Sequence, residues 1–320
     1  MTTTTTPGVR LSALPPAGGR AGLKGALASE YTKIRSVRST YWTLGALFVV
    51  SVGLGLAIAA GTSANWSNHP FQKVGFDAAQ TSLGVFFEIG QLIIAVLGAM
   101  VITSEYSTGM IRTSLTAQPR RGVVYAAKAI AFTSVTLVIS LITAFTAFFT
   151  VQAVYASTGV GASLFHPVKI PATANVDCLQ RVQVGPSQFR CVNGRLAVTS
   201  WITIHPSTVL AAIIGTALFV TLVALIAYGV GALVRHTAGA IAIVIALMFI
   251  IPILENALPS NWHNDIQRFL PDAANMVVSV TIPGGGNSHL WSAWPQLAVT
   301  ALWTAALVTL GAYLFRKRDA

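Results

Sequence analysis

The residues able to do chemistry in this chain are few, and their spacing excludes most of it. Six histidines, His69, His166, His205, His236, His263 and His289, are scattered, and no HExxH places two imidazoles on one helix face around zinc. No GxSxG elbow presents a serine nucleophile. No lysine follows a glycine anywhere, so a GxxxxGK[ST] phosphate loop is impossible and the chain does not hydrolyse ATP by that device. The glycine run at 284–286 lacks that lysine and reads as a connector. Cys178 and Cys191 are the only cysteines. They lack CxxC metal or redox spacing, and both fall in one polar segment. A disulfide in an oxidising loop is expected, with two free thiols as the other reading. No catalytic, metal or cofactor-binding residue is expected in this chain.

One carboxylate, Glu88, lies inside an otherwise apolar run. Its burial in a membrane helix costs about 2.5–3.5 kcal/mol on an insertion scale. Two readings stand: a polar point on a translocation path or proton route, or an acid that is protonated, snorkels or is hydrogen-bonded to a neighbouring helix. Charge is otherwise concentrated in one stretch, SEYSTGMIRTSLTAQPRRGVVYAAK at 104–128, between two apolar runs.

The elements that must position these residues follow from composition. The 320 residues are 54% hydrophobic and 9% charged, with a mean hydropathy of +0.68. A soluble domain carries roughly 25% charged residues, so this chain cannot give one a polar surface. Six apolar runs are long enough to cross a bilayer, at 41–61, 79–102, 129–154, 206–234, 237–254 and 294–315. One helix from 206 to 254 would be roughly 70 Å long, too long for a membrane. The segment LVRHT at 233–237 is therefore a tight hairpin. The apolar run 273–282 is too short to span.

Six spans place both termini on one side. Fourteen of the twenty lysines and arginines then share that side, which makes it the cytoplasmic face of the cell membrane. The net charge of +11 belongs mainly to this inner face, beside anionic lipid. No nucleic-acid partner is implied. Residues 1–19, rich in Thr, Pro and Gly, read as a disordered cytoplasmic tail. The lead of roughly forty residues makes the first run an uncleaved span rather than a signal peptide.

Leu23, Leu27, Tyr31, Ile34, Val37 and Tyr41 form one helical stripe with Lys24, Lys33, Arg35 and Arg38 off it. This predicts an amphipathic connecting helix over 20–40 on the inner leaflet. The six-span domain occupies 41–316, with an external insertion at 155–205, an external segment at 255–292 and a short tail at 317–320. Trp262, Ile266 and Phe269 predict a short helix in the second external segment.

In the charged stretch, Ser104 is expected to cap a helix carrying Glu105 in its first turn, with Gly109 weakening its middle. Glu105 and Arg112 are seven residues apart and would share a face if Gly109 does not break the helix. Pro119 ends the element, and Arg120 and Arg121 mark the membrane face.

Three motifs carry a family resemblance: SEYTKIRSVRSTYW at 29–42, SEYSTGMIRTSLTAQPRR at 104–121 and, more weakly, FLPDAANMV at 269–277. With six spans and a charged 2–3 loop, the chain resembles the membrane-spanning permease subunits of ABC-2 type ABC transporters, in an actinobacterial-like form. The resemblance implies an all-α polytopic fold, pairing with a second permease subunit, and a separate ABC ATPase subunit that binds ATP and magnesium. It implies that Glu105, Tyr106, Gly109 and Arg112 lie in the element touching that ATPase. It implies export of a drug, antibiotic, lipid or glycan. The rival readings are an ion-coupled secondary transporter centred on Glu88 and a non-transporting polytopic membrane protein.

Overall fold

The computed structural model describes residues 22–65, 78–156, 164–165, 167–171, 191–192, 195–196, 201–255, 257–271 and 291–317. Helix α1 (Leu23–Ser36) leads into α2 (Arg38–Asn65), and α3 (Ala78–Ser107) is joined through the short α4 (Met110–Ala117) to α5 (Arg121–Ala156). Then come β1 (Val168–Pro171), β2 (Cys191–Val192), β3 (Arg195–Leu196) and β4 (Trp201–Ile204). Helix α6 (Pro206–Val234) follows, then α7 (Thr237–Ile245), a π-helical turn (Ala246–Ile250), α8 (Ile251–Glu255), α9 (Ser260–Gln267) and α10 (Ala293–Lys317). The membrane domain is all-α. The two pairs of short antiparallel strands, β1 with β4 and β2 with β3, both belong to the insertion.

Among the described residues, six segments are long and apolar enough to cross a membrane: α2, α3, α5, α6, the continuous α7–α8 stretch and α10. They match the six predicted runs. The turn between the fourth and fifth is as tight as the length argument requires. Arg235 closes α6 in the left-handed region at φ 58°, its N–H bonded to the Gly231 carbonyl. The His236 ring then caps α7 by accepting from the Gly239 N–H. Near the end of the fifth span Pro252 has no N–H to return, and the ladder accommodates this in the π-helical turn just before it.

Helix α6 is the axis of the bundle. Two-thirds of its most apolar stretch is buried, against 28% for α2 and 22% for α10. Small residues let its neighbours approach, as is usual where no hydrophobic gradient drives helices together. A Cβ on Gly98 of α3 would stand 2.3 Å from the Ala224 carbonyl oxygen of α6, so only glycine fits. Phe87 of α3 stacks on Phe219 of α6 at 4.2 Å.

Three expectations change. The connecting helix ends at Ser36 rather than continuing to residue 40, because Val37 turns extended, and Arg38–Tyr41 belong to the first span. Ser104 caps nothing: it lies inside α3, which runs on from the second span to Ser107. The helix does break at Gly109, so Glu105 and Arg112 sit on different helices and share no face. The predicted short helix at Trp262 is present as α9. Cys178 and the run 273–282 lie outside the described residues.

Candidate functional site: the charged end of the bundle

Six crossings bring α1, α4 and the end of α10 to one end of the bundle, the end rich in cations. Helix α3 reaches it as a continuous rod, and Gly109 at φ 71° turns the chain sharply. Helix α4 then crosses the end of the bundle. Ile111 faces inward, 4% exposed, and Leu115 packs against the core. Met110, Thr113 and Thr116 face outward. The Gln118 N–H returns to the Ser114 carbonyl, and Pro119 precedes α5.

Beneath α4 lies a compact cluster of charge. Lys128 of α5 donates to Glu30 of α1 at 2.6 Å and to Glu105 of α3 at 2.8 Å. Lys33 of α1 donates to Glu30 at 2.9 Å and to Glu105 at 3.0 Å. It also donates to the Ser114 hydroxyl of α4 at 3.0 Å. Two acids and two bases balance. Three of the four side chains are 5–7% exposed, and Lys33 is 27% exposed. Glu105 accepts both lysines on Oε1, while its buried Oε2 has no hydrogen-bond partner among the described residues. Burial opposes charge on Lys33, but its hydrogen bond to Glu30 and the nearby Glu105 outweigh it and raise its pKa above the ordinary lysine value. Lys33 therefore stays charged at neutral pH.

A second group lies beside the first. The Arg235 guanidinium stacks 4.9 Å from the Tyr106 ring centroid. Tyr106 meets Phe315 of α10 edge-on at 6.4 Å, and Phe315 meets Tyr125 at 5.5 Å. The end of α3 is thereby fixed to the 4–5 hairpin and to the last helix.

The expected coupling residues thus separate. Glu105 is buried in the charge cluster and Tyr106 is half-buried against aromatic and guanidinium groups. Gly109 forms the turn, and Arg112 lies on α4. Glu88 stands apart on α3, its side chain on the exposed side of that helix rather than in the core. Of the two cysteines only the backbone of Cys191 is described, in β2. Sequence reasoning missed Glu30, Lys33, Ser114 and Lys128 as site residues. The available signal was scarcity. With nine acids in the chain, Glu30 and Glu105 each need a countercharge at a membrane boundary.

Among the described residues no group of histidines, cysteines and acids could hold a metal ion. The end of the bundle carries paired charge and connections between helices. Over residues 55–313 the chain matches the family model described as ABC-2 family transporter protein, and it belongs to that family. No curated protein matches it. The chain is accordingly a permease subunit of an ABC transporter, multi-pass and not itself catalytic, in a family whose members normally work with an ABC ATPase.

Proposed function

We propose that this chain lines a translocation path and is driven by a separate ATPase that docks on the charged end through α4. The observation that supports this reading is the placement of α4. It is a short amphipathic helix held across the ends of the second and third spans with Met110, Thr113 and Thr116 turned outward. Glu105 acts beneath that surface, and the docking contacts come from the outer face of α4, where Met110, Thr113 and Thr116 are exposed. The partner binds the ATP and magnesium. The cation distribution supports a cytoplasmic docking face and cytoplasmic termini, with the chain in the cell membrane. Export of a drug, antibiotic, lipid or glycan fits the family resemblance.

A second permease subunit completes the path. Glu88 supports this, because a carboxylate turned out of the bundle at membrane depth is costly against lipid and is better accommodated at a helix–helix contact or a water-filled path.

The test is affinity purification of the tagged chain in mild detergent. An ATP-hydrolysing subunit is expected to co-purify, and Met110→Glu with Thr113→Glu is expected to release it while membrane insertion is retained. Proton-driven transport by vesicles holding this chain alone would replace this reading with ion-coupled transport through Glu88.

A further inference from the structure

We propose that Lys33 is the positioning residue of α4: its ammonium ties α4, through Ser114, to the buried charge cluster, so that α1 and α4 move as one body. This rests on the reading of α4 as the docking element and extends the apparatus to α1.

An ammonium has three N–H donors. Lys33 directs them to Glu30 of α1, Glu105 of α3 and Ser114 of α4, at 2.9, 3.0 and 3.0 Å. One side chain therefore joins three elements. The bond to α4 falls where packing is poor. A cleft of about 340 Å³ separates the two helices, with Ser29 and Lys33 on one wall and Met110 and Thr113 on the other.

The direction of the Ser114 hydroxyl is informative. Serine and threonine inside helices commonly return their hydroxyl to a backbone carbonyl one turn back. Thr113 and Thr116 do so, to Met110 and Thr113 carbonyls, both at 2.8 Å. Ser114, between them, instead accepts from Lys33 across the cleft. A push on α4 then reaches Lys33. From there it passes to Glu105 at the end of the second span, and through Glu30 to Lys128 at the start of the third.

Ser114→Ala isolates this link without leaving a charge unpaired, and Ser114→Thr keeps the hydroxyl. Nitroxide labels at Ala28→Cys on α1 and Thr116→Cys on α4, in a chain with both native cysteines replaced by serine, report the spacing of the two helices by pulsed electron resonance. Ser114→Ala and Lys33→Met are expected to broaden that distance distribution, and Ser114→Thr to restore it. In the complex, Ser114→Ala is expected to weaken ATPase binding about tenfold, the size of a lost hydrogen bond to a charged group. Ser114→Thr should recover it.

A distribution for both Ser114→Ala and Lys33→Met as narrow as the parent's would overturn the proposal. So would broadening that Ser114→Thr fails to reverse. If no ATPase binds the parent chain, the docking reading falls, while the label distances still decide whether Lys33 positions α4.

Discussion

Lys128 pairs with two buried carboxylates at once, with 7% of its side chain exposed. Removing one member of a buried ionic group leaves uncompensated charge in a poor solvent, which typically costs about 3–5 kcal/mol. Lys128→Met leaves Glu30 and Glu105 to share Lys33 alone. The variant is expected to be destabilised by about that amount, read as a lower thermal midpoint in detergent. Adding Glu105→Gln removes the excess charge and should recover a large part of the loss. A double variant no more stable than Lys128→Met would mean that the cluster is not held by charge balance. Glu105→Ala alone is expected to act in the same way, through the packing of α1, α3 and α5, rather than by deleting an exposed docking contact.

At the level of elements, one glycine decides how α4 lies. A Cβ on Gly109 would meet nothing within 4 Å, so its φ of 71°, not lack of space, demands glycine. A left-handed conformation costs most L-residues about 1–2 kcal/mol, and Asn less than a β-branched residue. Gly109→Asn is expected to behave like the parent. Gly109→Val should favour continuation of α3, displace α4 and weaken the partner's grip. Hydrogen exchange of amides 104–118 measures this. Protection in Gly109→Val equal to the parent's would show that the turn is imposed by the surrounding helices instead. The break at Val37 is a further hinge. It lets α1 lie against α5 while α2 continues as the first span, and it leaves Leu23 and Tyr31 exposed, 44% and 43%.

For the whole molecule, the six crossings and the cation asymmetry make a topological prediction. A cysteine placed at Ser36, which is exposed at the charged end, is expected to resist a membrane-impermeant reagent in intact cells and to react after permeabilisation. One placed in the 155–205 insertion should react from outside. Strong labelling at Ser36 in intact cells would invert the topology, and with it the side on which an ATPase could dock. Helix α6 is the most buried of the spans, while α2, the fifth span and α10 leave wide apolar faces uncovered.

The sequence alone determined the membrane class, the number of spans, the hairpin at Arg235 and the charged end, because these follow from apolar length and from charge added up along the chain. It also determined the family, through motifs at 29–42 and 104–121. Only the tertiary structure decided what those motifs do. Glu105, legible as a helix-start acid, is a buried partner of two lysines. Lys33, legible as a cation off an apolar stripe, joins three elements. The physical reason is separation along the chain. Lys33 and Glu105 lie 72 residues apart and Glu30 and Lys128 lie 98 apart, so no local periodicity records their pairing. The same holds at Gly109. A glycine within a polar stretch marks a weak point in a helix, but only the structure shows the left-handed turn, φ 71°, that stops the helix there.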